Sequence, residues 1–241
     1  MKHLNSGQRK LVMAGVIGLT AAVLHAAGVD FARGEDGKHY GSPTSSISDL
    51  ASGGGCRTSK ETDEEEFQTR LFVAESDGAK MKPLTDLSDY QAQGSPCWSR
   101  DSKFIAFDAW KPQEGEGLSE SKIIVVNADG SRPRVVGPGA MPCFSPVGHR
   151  IAFSRPKAGG VWVMSSDRPD DELFLIDAQG WGADWSPDGK LAYAVHAAGK
   201  ANLAVKDFVE GRVDLLFDKQ KSPYRRIFWN MAWSPDGKAS L

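Results

Sequence analysis

Asp184-Trp185-Ser186-Pro187-Asp188-Gly189-Lys190-Leu191-Ala192-Tyr193 is the stretch whose reading decides the fold. Pro187 presets φ for the first corner of a tight turn, and Gly189 supplies the left-handed conformation that a reversal requires. Leu191-Ala192-Tyr193 then puts its outer members on one face of a strand by the period-two rule. The stretch recurs as CWSRDSKFIAF from Cys97, CFSPVGHRIAF from Cys143 and AWSPDGKASL from Ala232. The aromatic anchors Trp98, Phe144, Trp185 and Trp233 are spaced with a period in the forties. That period suits four-stranded propeller blades and also paired-helix repeats. Proline and glycine in the turns stop a helix, so the strand reading wins.

A second motif lies between the anchors. LFVAESDG from Leu71, IIVVNADG from Ile123 and VWVMSSD from Val161 place Asp77, Asp129 and Asp167 at one turn position. The fourth copy, Leu203-Ala204-Val205, has Val209 there and turns at Glu210-Gly211. Further apolar runs, Pro133 to Val136 and Val213 to Phe217, complete four strands per repeat. No window shows a sustained amphipathic helix. The expected fold class is therefore all-β, a β-propeller of four-stranded antiparallel blades. Full blades are expected at 96–137, 141–177 and 183–219. A half-blade of outer strands from Leu71 to Leu84 precedes them, and one of inner strands from Met231 to Leu241 follows. This is read as an incomplete ring, with unpaired edges at Leu71 and near Leu241. Trp185 is expected in the core between blades.

These residues resemble the WD40-like (PD40) propeller repeat of the TolB family, whose mark is an aromatic residue followed by Ser-Pro-Asp-Gly-Lys and Ile-Ala-Phe. The likeness covers 67–241, is fullest at Trp185 and Trp233, and degrades at Trp98, where Ser-Arg-Asp-Ser replaces the turn. It implies a periplasmic propeller acting through protein contacts. The same repeat also occurs in the propellers of prolyl-oligopeptidase-like enzymes, so it identifies a fold better than a function.

Outside the repeats, residues 1–28 read as a signal peptide. Lys2, Arg9 and Lys10 precede an uncharged apolar run from Leu11 to Leu24, and Ala26-Ala27-Gly28 suits a cleavage site. Membrane contact is expected only through an uncleaved signal. Residues 29–66, with the acidic run Asp63 to Glu66, are too poor in apolar side chains to offset their ordering entropy and are expected as a disordered tether.

The chain has 241 residues, 29 basic and 31 acidic, for a net charge of −2. No general positive field exists to attract nucleic acid. Three cysteines cannot staple a chain of this size. Cys97 and Cys143, each just before an anchor, are expected as small buried thiols on neighbouring blades, too far apart at Cα for a disulfide.

No Gly-x-Ser-x-Gly elbow, Walker A loop, His-Glu-x-x-His or paired Cys-x-x-Cys occurs. No catalytic, cofactor-binding or metal residue is assigned, and no cofactor is expected. The histidines, His3, His25, His39, His149 and His196, are scattered. Asn127 to Ser131 is read as a turn rather than half a calcium loop. Asp167, Asp170 and Asp171 are read as a solvated acidic loop. Lys111 to Glu120, a polar insertion after Trp110, is the expected variable contact site.

The expected function is an exported, non-catalytic interaction module that binds a protein or peptide through loops on one face. The alternative is the N-terminal propeller of a prolyl-oligopeptidase-like serine peptidase whose catalytic domain is absent from this chain. A weaker third reading is a propeller enzyme with a sugar- or metal-dependent site in its channel.

Overall fold

The computed structural model describes residues 10–17, 68–75, 77, 80–111, 117–218, 222–228 and 231–238. The chain divides into two compact units, Met1–Val23 with Phe67–Leu241, and Leu24–Glu66. All of the second unit, and with it the expected tether and Cys56, lies outside the described residues, as do 112–116 of the insertion.

Three full blades follow one another. The first comprises β4 (Ala92–Trp98), β5 (Phe104–Trp110), β6 (Lys122–Asn127) and β7 (Arg134–Pro138). The second comprises β8 (Ala140–Phe144), β9 (Arg150–Ser154), β10 (Val161–Ser165) and β11 (Leu173–Asp177). The third comprises β12 (Gly180–Trp185), β13 (Leu191–Ala197), β14 (Lys200–Lys206) and β15 (Val213–Leu215). Each is an antiparallel meander in chain order. Ahead of them stand β1 (Lys10–Ile17), β2 (Gln68–Glu75) and β3 (Lys82–Pro83), joined to the first blade by a parallel bridge between Thr69 and Ala92.

The strand period dictates how blades pack. In the second strand of each blade the bulky members Ile105 and Phe107, Ile151 and Phe153, and Leu191 and Tyr193 are fully buried, and so are the intervening Ala106, Ala152 and Ala192. Ile105 and Phe107 pack with Leu71, Val73 and Leu84, toward the preceding strands. Ala106 faces the other way, into a cluster with Ile151 and Phe153. Ala152 does the same beneath Leu191 and Tyr193. Large against small at each interface gives interdigitation without overpacking.

The inner strands share an irregularity that the sequence does not advertise. Ser95, Met141 and Gly182 have φ of 47°, 55° and 57°, and the register shifts beside each. These are bulges, which bend an inner strand. The amide of Met141 donates to buried Asp108 Oδ2 at 2.7 Å, and that of Gly182 donates to Ser154 Oγ at 2.8 Å. Asp108 and Ser154 hold the same register place, opposite Ile123 and Val161. Each bond ties one blade to the next.

The leading edge differs from expectation. Leu71 does not lie on an open edge, because β1 pairs antiparallel along the whole of β2. Ala14 stands opposite Leu71, as Asp108 stands opposite Ile123, Ser154 opposite Val161 and Ala194 opposite Leu203. β1 therefore occupies the second-strand place of the leading blade, in the register of the other three. Leu84 N–H donates to Leu71 O at 2.8 Å, matching Leu216 N–H to Leu203 O at 2.9 Å in the third blade. Lys10–Ile17 is the part of the expected signal segment that the structure describes.

Candidate functional site

The turns that end the inner strands are built by serine and aspartate. Ser99 Oγ donates to Asp101 Oδ1 at 2.7 Å, Ser186 to Asp188 at 2.5 Å and Ser234 to Asp236 at 2.7 Å. These serine hydroxyls are the leading cause that holds all three carboxyls below the ordinary aspartate range. In the second blade Val147 takes the place of the aspartate, and Ser145 Oγ donates to the Val147 carbonyl at 2.5 Å. His149 instead reaches across to the first blade, with Nε2 at 2.9 Å from Asp101 Oδ2.

Just inside these turns the residues before the anchors form a chain from blade to blade. Phe144 N–H donates to Cys97 Sγ at 3.2 Å, and Cys143 Sγ donates to Asp184 Oδ1 at 3.1 Å. Trp233 N–H donates to Asp184 Oδ2 at 3.2 Å, and Trp233 Nε1–H to Asp184 O at 3.1 Å. Burial raises the Asp184 carboxyl against these bonds. Cys97, Cys143 and Asp184 line a cavity of about 430 Å3 walled by the four anchors and their turns. The two thiols are free, as expected, and half-buried rather than fully buried. Each sulfur takes part in a hydrogen bond that crosses to the neighbouring blade.

Beside this mouth, between the second and third blades, runs a more apolar groove of about 590 Å3. Val147, Phe174, Ile176, Trp185, Phe208 and Val209 line it, with Arg150 and Asp188 as its charged members. Val147 is 78% exposed, Val209 96% and Phe174 55%. Trp185 packs against the core between the second and third blades, as expected, but is only half-buried: its ring stacks on Phe208 at 5.3 Å and separates the groove from the mouth. Its Nε1–H is buried with no acceptor among the described residues. Scattered exposed apolar side chains are ordinary, whereas a contiguous set marks a contact surface.

The groove was not read from sequence, since its parts come from two turn types on two blades. Its signal was present in the substitutions Val147 and Val209 for turn aspartates. Gly117 to Glu120 of the insertion lie elsewhere: Lys157 Nζ meets Glu120 Oε1 at 2.9 Å beside the loops that follow the second strands. Asn127 to Ser131 forms the expected turn, with Ser131 N–H on Asp129 Oδ1 at 2.9 Å. Gly130 is required there, because a Cβ would lie 1.6 Å from Leu84 O. Asp167 joins Arg134 at 3.4 Å in a partly solvated pair. Among the described residues no group of three or more His, Cys, Asp or Glu could hold a metal ion, and no helix is long and apolar enough to cross a membrane.

No protein-family model and no curated protein matches the chain. Solved structures do. TolB from Acinetobacter baumannii superposes with a TM-score of 0.54 at 22% identity, over 70% of this chain and 41% of that one. The putative TolB from Agrobacterium tumefaciens gives 0.51 at 20% identity, over 63% and 57%. A puromycin hydrolase gives 0.52 at 15% identity, over 63% of this chain and 26% of that one. The chain thus spans less than two thirds of the length of either TolB structure. By its strands, its register and these likenesses, the chain is an all-β protein with the β-propeller fold of four-stranded antiparallel blades.

Proposed function

We propose that this chain is an exported, non-catalytic, TolB-like interaction module that binds a protein or peptide on the face carrying its Ser-x-Asp turns. The observation that carries the reading is the apolar groove between the second and third blades, with exposed Val147, Phe174 and Val209 above the Trp185–Phe208 stack. Aromatic anchors in a desolvated pocket with a polar rim are what concentrate binding energy at protein interfaces. Export is supported by the basic start and uncharged run of residues 1–28, whose cleavage would remove β1 and leave β2 at the leading edge.

Selection of a displayed random-peptide library on the purified chain tests the reading. Peptides with apolar or aromatic anchors are expected, and the double variant Val147→Asp, Val209→Asp is expected to bind them at least about tenfold more weakly, roughly 1.4 kcal/mol. Both positions are exposed, so the variant retains its fold. Selected peptides that bind the variant equally well contradict the groove. The peptidase-propeller reading predicts instead that the same face contacts a hydrolase domain and selects no short peptide.

A further inference from the structure

We infer that the edge of β2 that faces β1 is a strand-accepting site, which takes an extended segment of a partner protein, antiparallel, once residues 1–28 are removed. The removal rests on the export reading above; the pairing does not. Thr69 N–H donates to Gln91 O at 2.9 Å and Leu71 N–H to Gln93 Oε1 at 3.2 Å, both away from β1. By alternation Arg70, Phe72 and Ala74 turn their backbone groups toward it. β1 meets them in unbroken register, from Lys10 opposite Glu75 to Ile17 opposite Gln68. Without β1 this edge has no partner strand among the described residues, and its buried Leu71, Val73 and Ala74 leave it apolar. Such an edge is a template for a strand of another chain.

The register defines what the partner segment carries. Leu11, Val12, Met13 and Ala14 stand opposite Ala74, Val73, Phe72 and Leu71. The same places in the full blades hold Ile105-Ala106-Phe107-Asp108, Ile151-Ala152-Phe153-Ser154 and Leu191-Ala192-Tyr193-Ala194. In the full blades the bulky members pack toward one neighbour and the alanine toward the other, as Ile105 and Phe107 pack with Leu71 while Ala106 packs with Ile151. The site therefore selects a bulky apolar residue, alanine and a bulky apolar or aromatic residue in sequence, closed by a short side chain. A slip of one residue exchanges the two faces, which fixes the register. β1 departs from this pattern at one place, where Val12 stands in place of alanine. A partner segment with alanine there matches the full blades more closely than the segment it replaces.

In the full chain the double variant Leu11→Pro, Met13→Pro bares the edge without processing, since proline cannot donate to the ladder. Its result therefore stands whether or not residues 1–28 are cleaved in the cell. Circular dichroism establishes that it is folded, and Leu11→Pro alone replaces it if it is not. The probe is a fluorescent synthetic peptide of residues 8–19, natural and with Val12→Ala or Met13→Asp, read by anisotropy. The proline variant is expected to bind the natural peptide at least about tenfold more tightly than the wild-type chain, whose own β1 competes from within the molecule. In the peptide, Val12→Ala is expected to tighten binding at least about threefold, and Met13→Asp to weaken it at least about tenfold. Amide hydrogen exchange at Phe72 and Ala74 is expected to slow when the peptide is added to the variant. Equal binding by the two chains, as uptake in the apolar groove gives, overturns the proposal. So does binding indifferent to Met13→Asp, or self-association of the variant in place of peptide uptake.

Discussion

Single residues reveal where the repeat is under strain. Ser102 stands at the turn place of Gly189 and Gly237 and keeps their positive φ, 58° against 89° and 70°. A left-handed non-glycine residue costs roughly 1–2 kcal/mol, partly offset by roughly 0.5–1 kcal/mol of extra chain entropy lost by glycine. Ser102→Gly is therefore expected to stabilise the domain by about 0.5 kcal/mol, read as a higher urea midpoint at unchanged slope. Asp108 is the other test. Its carboxyl is buried, and desolvation raises it above the ordinary range despite the Met141 amide bond. A raised folded-state carboxyl contributes most stability at low pH and loses it as pH rises through the folded value. Asp108→Asn keeps an acceptor for Met141 without the charge, so its melting temperature relative to wild type is expected to rise between about pH 4 and about pH 7. Asp108→Ala orphans the amide and is expected to cost about 1–3 kcal/mol. A flat difference between the Asn variant and wild type contradicts the first expectation.

At the scale of elements, the anchors contribute unevenly to the core: Phe144 is buried in it, while Trp98 and Trp185 pack against it half-buried. The sequence signals the aromatic before each turn most loudly, yet Trp185 is half-buried while Phe153 and Tyr193, in the quieter second strands, are sealed. Phe153→Ala is expected to cost about 3–5 kcal/mol and to exceed Trp185→Ala clearly, by equilibrium unfolding. Blade number, strand order and turns were legible because Pro, Gly and period-two alternation are local. The bulges at Ser95, Met141 and Gly182 were not, because nothing in Ser95 or Met141 alone announces a left-handed φ that only closure onto the next blade imposes. The second-strand role of Lys10–Ile17 was hidden for a different reason: Leu-Val-Met suits a signal core as well as it suits a strand. Leu71 directs its backbone groups toward β3 and β4, so the amides of Phe72 and Ala74 alternate toward β1. They are expected to exchange slowly in the chain that keeps Lys10–Ile17 and quickly once residues 1–28 are removed, by amide hydrogen exchange. Equal exchange in both contradicts the pairing.

Across the whole molecule, a net charge of −2 provides no field that selects a partner, so the proposed binding rests on shape and apolar area on one face. The turn-bearing face offers the groove and the thiol-lined mouth, sharing Trp185 as a wall. The other loops carry Glu120 paired with Lys157 and a smaller, more polar pocket bounded by Arg155. Amide hydrogen exchange of the chain with and without a selected peptide decides between them. Protection concentrated at Ser145 to Arg150, Phe174 to Ile176, Trp185 to Gly189 and Phe208 to Val209 is the predicted result. Protection confined to Gly117 to Lys122 and Arg155 to Ala158 contradicts the account.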